Sequence, residues 1–296
     1  MTVFTIAGLT LTEAVRRRTL VGALLLGLLV LALSGILFFI KARLQYRVEI
    51  GRMDPEEAWG EFYPAARSVI TVLCLAAIKG LGGLFAILLA GGAISGEIER
   101  GLLAVILPRP IPRWHILLGK WIGMALILTG SILLWTVLAW ASLTYQTGAN
   151  LTPMLRAGLI SVLFPIVFMT VTLSLSTFAQ RVFGTSLAVA LCAIGWFDGI
   201  LNTLGSPQVY DVEVLRTLAN AASLIMPQGY ISWWVWEAVE EIVTETGPFG
   251  RIGSSPLFLR DWGILHNLPH LDAWYVGGYV LVTLLAGVAI FQRRDV

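Results

Sequence analysis

The sequence has few charged residues and only two cysteines. Lys, Arg, Asp and Glu make up 13% of the 296 residues, about half the share that is usual in soluble domains, whereas hydrophobic residues make up 57%. A water-soluble fold could not bury that much apolar surface. Cys74 and Cys192 each lie in an apolar stretch, where a free thiol behaves as a small hydrophobic group, and they provide no disulfide framework.

Motifs for catalysis and for nucleic-acid binding are also missing. The sequence has neither a phosphate-binding glycine-rich loop nor a nucleophile elbow, so we predict no catalytic residues and no cofactor bound by this chain. The net charge of +2 and the lack of a dense basic block argue against a nucleic-acid partner. Small residues in an apolar stretch permit close helix packing. The apolar stretch near residues 69–93 contains Gly80, Gly82, Gly83, Gly91 and Gly92.

Support for a metal site is weak. His266 and His270 lie near Asp261 and Asp272, but Pro269 disrupts the helix that would align the two histidines. We therefore interpret them as solvated loop residues and predict no metal site.

Long apolar stretches recur along the whole chain. A helix needs roughly 20 residues to cross a hydrocarbon core about 30 Å thick, because lipid offers no partners to unsatisfied backbone groups. Six stretches qualify, and they lie near residues 20–40, 69–93, 121–143, 154–179, 183–204 and 273–291. We predict an all-α integral membrane protein with a single transmembrane domain over residues 1–296.

Basic residues near the span ends predict the orientation. With both termini in the cytoplasm, the short cytoplasmic segments carry Arg16, Arg17, Arg18, Arg100, Arg109, Arg113, Lys120, Arg181, Arg293 and Arg294. The opposite segments carry most of the acids, although Lys41, Arg43, Arg47 and Arg52 dilute the contrast. This distribution predicts a multi-pass protein of the inner (cytoplasmic) membrane with both termini inside.

The segment before the first span, residues 2–18, mixes apolar residues with three consecutive arginines. It fits an amphipathic helix that lies in the membrane interface and contacts lipid. A plain positively charged anchor fits as well, and the two interpretations are compatible.

The longest polar segment, residues 206–270, is predicted to be an external insert between the fifth and sixth spans. Residues 230–243 alternate aromatic and aliphatic residues with Glu at a spacing that predicts an amphipathic helix near a membrane face. This helix would serve as an aromatic belt or as a recognition surface for an external partner.

Two charged residues, Lys79 and Asp198, fall nearly inside spans. An intramembrane charge is a candidate functional residue. Both lie toward predicted span ends, and we therefore expect their side chains to reach the membrane surface.

The segment between the second and third spans is the most informative part of the sequence. Glu97, Glu99 and Arg100 begin it, and the apolar residues that follow at helical spacing predict a short helix with one apolar face. Three prolines at positions 108, 110 and 112 then impose an extended turn. Such a helix could dock into a groove of another protein, or it could be a surface helix that holds two spans apart.

In these residues the sequence resembles the permease subunits of type-2 ABC exporters, especially the branch associated with multicopper enzyme maturation and typified by the nitrous oxide reductase accessory permease. The resemblance rests on Glu97-x-Glu99-Arg100-Gly101, Pro108-Arg109-Pro110-x-x-Arg113 and Leu118-Gly119-Lys120, with Phe291-x-Arg293-Arg294-Asp295 as weaker support. Six spans with both termini inside agree with that family over essentially the whole chain.

The resemblance implies a coupling helix that sits on a separate ABC ATPase subunit, in a complex of two ATPases and two permeases. ATP and Mg would be bound by the ATPase. The implied coupling residues are Glu97, Glu99, Arg100, Gly101, Leu102, Arg109, Arg113, Gln180 and Arg181. Arg109, Arg113 and Lys120 would fix the base of the helix or meet lipid phosphates. Leu102 departs from the family, which often has Thr after the motif glycine.

These features predict a permease subunit that is not itself an enzyme and that couples ATP hydrolysis in its partner to export. The alternative is a membrane scaffold or mechanotransmitter that passes a cytoplasmic signal to a periplasmic or extracellular partner through residues 206–270.

Overall fold

A computed structural model describes residues 3–16, 19–99, 112–178, 180–205, 212–244 and 272–293. Its helices are α1 (Val3–Arg16), α2 (Thr19–Glu49), α3 (Tyr63–Ala90), α4 (Ser95–Glu99), α5 (Arg113–Thr147), α6 (Thr152–Ser161), α7 (Leu163–Leu175), α8 (Arg181–Gly205), α9 (Glu213–Ile225), α10 (Gln228–Thr244) and α11 (Asp272–Arg293). A π-helical turn, Glu57–Phe62, leads into α3. The described residues form no strand, so the predicted all-α membrane fold is confirmed.

Five of the six predicted spans coincide with helical segments that are long and apolar enough to cross a membrane. These segments contain α2, α3, α5, the α6–α7 pair and α11. The fifth predicted span, 183–204, is helical in α8, but its apolar part, Val182–Ile194, is shorter than the other five. That span therefore stays a prediction.

The fourth predicted span is interrupted. Helix α6 ends at Ser161 and α7 begins at Leu163. Pro165 explains the break, because proline has no N–H to donate to the carbonyl of Ser161 and its ring clashes with that carbonyl.

Close contacts hold the spans together. The indole N–H of the buried Trp135 on α5 donates to the carbonyl oxygen of Ala23 on α2 at 3.0 Å. A Cβ added at Gly82 or Gly83 on α3 would lie 2.5 Å from Ile132 or 2.7 Å from Phe168. Gly82 and Gly83 therefore permit the close packing that the sequence predicts, whereas a Cβ added at Gly80 would have nothing within 4 Å.

Helix α1 packs along α5. A Cβ added at Gly119 would lie 2.6 Å from Ile6, and one added at Gly123 would lie 2.7 Å from Thr10. Elsewhere α1 is exposed and includes apolar residues, with Phe4 78% and Leu9 53% exposed. The position of α1 in the membrane interface and its contact with lipid stay predictions.

Helix α9 folds back along α8, and α10 then runs along α6 and α3. Ser232 of α10 lies beside Lys79 of α3, and Ile242 lies beside Ser68, so α10 runs antiparallel to α3. Between α9 and α10, the Tyr279 hydroxyl on α11 lies 3.3 Å from the Met226 sulfur.

The position of α10 differs from the one that the amphipathic pattern predicts. Tyr230 and Trp236 of α10 are each only 7% exposed and belong to the hydrophobic core. Helix α10 therefore lies alongside a span rather than displaying its aromatic residues at a membrane face, because its apolar side meets α3 and α6. The rest of the insert, residues 206–211 and 245–270, lies outside the described residues.

The α1–α5 contact leads to a test on one helix. We expect Gly123→Ala to destabilise the protein by about 1–3 kcal/mol, because the new methyl group would overlap the Ala7 carbonyl oxygen, 2.9 Å from the Cβ position, as well as Thr10. Gly130→Ala on the same helix meets no atom within 4 Å and should be neutral or stabilising by up to about 1 kcal/mol. Thermal unfolding in detergent measures both changes, and equal effects would contradict the close α1–α5 contact.

Candidate functional site

The candidate site lies at one end of the helix bundle, which we call the Glu97 end. It contains α4, the beginnings of α5 and α8, and the end of α11. Two contacts bring these elements together. The Arg113 guanidinium donates to the Phe291 carbonyl oxygen at 3.1 Å, and a Cβ added at Gly91 would lie 3.1 Å from the Thr185 methyl group. The opposite, Tyr63 end contains the hydroxyl of Tyr63 and the ammonium of Lys41, which both donate to the Gln146 carbonyl oxygen.

A glycine pair separates α3 from α4. The Gly91 N–H still donates to the Ile87 carbonyl oxygen at 2.7 Å, but Gly92 has a φ of 72°, in the left-handed region that favours glycine. Helical hydrogen bonding then resumes, with the Gly96 N–H donating to the Gly92 carbonyl oxygen at 2.9 Å. The chain can thus leave the long span and begin a separate short helix.

Lys120 fixes this short helix to α5. Its ammonium group lies 2.6 Å from the carbonyl oxygen of Ala93 and 2.5 Å from Oε1 of Glu97. The Lys120 side chain is 11% exposed and that of Glu97 is 22% exposed. Charged hydrogen bonds at this burial are stronger than surface pairs, because water screens them less. Lys120 thus holds both Ala93, two residues before α4 begins, and Glu97, the first acid of α4.

Glu99 differs from Glu97 in its surroundings. The Glu99 side chain is exposed at the end of α4, whereas Ser95 and Gly96 on the same helix are buried. Glu97 is therefore the more buried of the two acids and pairs with Lys120, whereas Glu99 has an exposed side chain.

Arg113 provides a second attachment at the start of α5. Besides its hydrogen bond to Phe291, its guanidinium carbon lies 5.9 Å from the centre of the Phe291 ring. A guanidinium over an aromatic face is electrostatically favourable. The two ends of the segment between α3 and α5 are thus fixed, one by Lys120 and the other by contact with α11.

The structure places five of the nine predicted coupling residues at the Glu97 end: Glu97, Glu99, Arg113, Gln180 and Arg181. Gln180 is exposed at the start of α8, where its carbonyl accepts the Gly184 N–H at 2.7 Å. The other four, Arg100, Gly101, Leu102 and Arg109, lie outside the described residues. The role of all nine in coupling stays a prediction.

The sequence does not reveal the Ala93 carbonyl as a partner of Lys120, because every residue has a backbone carbonyl whatever its type. The glycine pair Gly91-Gly92 is a helix-end signal that indicates where α3 stops.

In the part of the chain that the structure describes, no group of three or more His, Cys, Asp or Glu residues could hold a metal ion. His266 and His270 lie outside that part.

Several apolar helices long enough to span a membrane, with a short helix on a glycine break at one end, define a polytopic membrane protein. Residues 4–296 match the family described as "ABC-2 family transporter protein". The chain therefore belongs to this family, as its resemblance to ABC exporter permeases predicts. It is also similar to the probable ABC transporter permease protein NosY of Stutzerimonas stutzeri, with 30% identity over 218 residues, which cover 71% of this chain and 75% of that relative.

The Lys120 contact can be tested by a double-mutant cycle. We expect Lys120→Met and Glu97→Gln each to lower stability by about 1–3 kcal/mol, because each leaves a largely buried polar group without its partner. The combined variant should lose less than the sum, with a coupling energy of about 0.5–3 kcal/mol. Thermal unfolding in detergent gives the values.

Glu99→Gln combined with Lys120→Met is the matched control, since Glu99 is exposed and the ion pair of Lys120 is with Glu97. Its effects should add to within about 0.5 kcal/mol. Additive effects for the Glu97 and Lys120 pair would contradict the contact.

Proposed function

We propose that this chain is the transmembrane permease subunit of an ATP-driven ABC transporter, and that residues 97–113 receive the movement of a separate ATPase subunit. Membership of the ABC-2 family carries the transmembrane permease part of this assignment. The attachment of α4 to α5 through Lys120 supports the coupling part, because a helix that transmits force must be fixed to the element that it moves.

The contacts at the Glu97 end give a route for this movement. Helix α4 continues from α3 across Gly91 and Gly92, Lys120 connects α4 to α5, and Arg113 connects α5 to α11. A displacement of α4 would therefore act on three spans together. Gln180 and Arg181, at the start of α8, would form a second and smaller contact with the ATPase.

We further propose that the Glu97 end faces the cytoplasm and that the chain lies in the inner membrane. This end carries Arg113, Lys120 and Arg293, and the sequence next to these helices contains further arginines at 100, 109 and 294. We assign Arg16, Arg17 and Arg18, ahead of the first span, to the same side of the membrane. The positive-inside rule favours the side with more Lys and Arg near the span ends. Both termini would then be cytoplasmic.

A second copy of the permease and two ATPase subunits would complete the transporter, with ATP and Mg bound by the ATPases. Exposed apolar residues on α2 and α11, such as Phe39 (72% exposed) and Val282 (66% exposed), provide surface for a second copy and for lipid.

One observation favours signal transmission as a second candidate function. The Lys79 ammonium donates to the Ser232 hydroxyl at 2.9 Å and so connects α3 to α10. A movement of α3 would reach the insert between α8 and α11, which a periplasmic or extracellular partner could contact.

Charge reversal at Glu99 tests the docking role. We expect Glu99→Lys to weaken binding of the cognate ABC ATPase by about tenfold or more, because an exposed interface charge of the wrong sign is repulsive. Copurification from coexpressing cells and ATPase activity in nanodiscs provide the measurements. Glu237→Lys is the matched control, because Glu237 is exposed like Glu99 but lies on α10, outside the proposed docking residues.

Lys120→Met separates docking from transmission. The Lys120→Met variant should still bind the ATPase but should no longer stimulate its ATP hydrolysis. The substitution loosens α4 without changing the exposed surface at Glu99. Unchanged association in Glu99→Lys together with unchanged stimulation in Lys120→Met would refute the coupling assignment.

Cysteine labelling tests the orientation. Cys74 and Cys192 are fully buried, so a thiol reagent in water should react with a cysteine introduced on the surface and not with these two. The native cysteines therefore need not be replaced. We expect a membrane-impermeant maleimide to label Arg52→Cys, in the loop between α2 and α3, in intact spheroplasts. Gln292→Cys, at the end of α11, should react only after permeabilisation. The reverse pattern would place the termini outside.

A further inference from the structure

Cations in and beside the spans differ in their partners. Lys79 lies on α3, eleven residues before Ala90, and is 6% exposed. Its ammonium group donates to the Ser232 hydroxyl of α10 at 2.9 Å and lies 5.6 Å from the centre of the Phe164 ring. The expectation that Lys79 reaches the membrane surface is therefore wrong, because its side chain bonds within the bundle. The side chain of Asp198 is outside the described residues.

Arg67 of α3 has no such partner. It lies close to the Tyr63 end and is half-buried. Its Nε is buried without a hydrogen-bond partner, and the guanidinium pairs with no acid of the described ranges. The side chain is thus packed against the protein while its charge is left uncompensated. Because a guanidinium keeps its charge at physiological pH, this position calls for a counter-charge from another molecule.

A second cation lies near the same tyrosine. Lys41 of α2 is also half-buried, and its ammonium group lies 5.8 Å from the centre of the Tyr63 ring. Arg67 follows Tyr63 by about one helical turn, and its positive charge acts on the Tyr63 hydroxyl. The Lys41 ammonium donates to the Gln146 carbonyl oxygen at 3.0 Å and pairs with no acid of the described ranges. An ammonium has three donors, so Lys41 keeps donors for a ligand.

Aromatic side chains mark the membrane surface at this end of the bundle. Tyr145, next to Gln146 on α5, is 92% exposed, and Trp274 at the start of α11 is 84% exposed. Trp59 packs edge-on against Tyr63, with the ring centres 5.6 Å apart. Tyr and Trp are enriched where the acyl chains of a bilayer meet its head groups. The two cations beside Tyr63 therefore lie at the depth of lipid phosphates.

The charges select the class of lipid. Phosphate oxygens accept charged hydrogen bonds from both lysine and arginine. Two cations without a paired acid would repel the ethanolamine or choline group of a zwitterionic lipid, whereas an anionic lipid brings a net negative charge. The arrangement at Tyr63 therefore favours an anionic head group.

We propose that Lys41 and Arg67 bind the phosphate of an anionic phospholipid of the phosphatidylglycerol type at the Tyr63 end. The lipid lies beside Tyr63 and bridges α2 and α3, which pack against each other. The site is independent of the docking role of residues 97–113, because it lies at the opposite end of the bundle and its binding can be measured without the ATPase. Both leaflets of a membrane contain phospholipid, so the site does not depend on the orientation of the chain either.

Native mass spectrometry of the purified full chain, titrated with phosphatidylglycerol, tests the site. We expect Lys41→Met and Arg67→Met each to weaken binding by about tenfold or more, because each removes a charged hydrogen bond to the phosphate. Arg43→Met is the matched control, since Arg43 is exposed and lies two positions after Lys41 on α2, which turns it away from Lys41. It should bind within about twofold of the wild type.

Phosphatidylethanolamine tests the choice of an anionic lipid. The wild type should bind it about tenfold or more weakly than phosphatidylglycerol, because the two cations attract net negative charge. The proposal is overturned if phosphatidylethanolamine binds as tightly as phosphatidylglycerol, or if either Lys41→Met or Arg67→Met binds phosphatidylglycerol as tightly as Arg43→Met does. Should a methionine variant fail to fold, Lys41→Gln and Arg67→Gln, which keep a polar end group, decide by the same comparison.

Discussion

Close contact between helices is the constraint on which this structure depends. In lipid, burying apolar side chains against each other gains little over leaving them in the hydrocarbon, so helices associate through tight packing and a few hydrogen bonds. The contact of Trp135 with Ala23 and Gly27 joins α2 to α5, and Gly82 and Gly83 bring α3 against α5 and α7. Each of these contacts needs a small residue opposite a large one.

Charged groups follow from the same environment. A lysine inside such a bundle must find partners within the protein, because water is not available to solvate it. Lys120 bonds a backbone carbonyl and Glu97 near the bundle end, whereas Lys79 bonds the Ser232 hydroxyl of α10. The first arrangement fixes α4 to α5, and the second connects α3 to α10.

Much of the fold was predictable from residue type. Spans such as α2 and α5 follow from apolar length, and the helix break before α4 follows from adjacent glycines. Two features were not predictable in this way. The apolar pattern of α10 gives the buried side of the helix, but it does not reveal whether lipid or α3 covers that side. The depth of Lys79 was missed for a similar reason, since its partner Ser232 is 153 residues away in sequence.

The interruption between α6 and α7 divides one predicted membrane crossing between two groups of neighbours. Helix α6 packs mainly on α10 and on α5, whereas α7 packs mainly on α3 and α11. Val162, between the two helices, keeps right-handed helical dihedral angles, so the change at this point is local. Pro165 removes one backbone hydrogen bond there, and a helix bends more easily where such a bond is missing. The crossing can thus fit two sets of neighbours that a straight rod would not meet together.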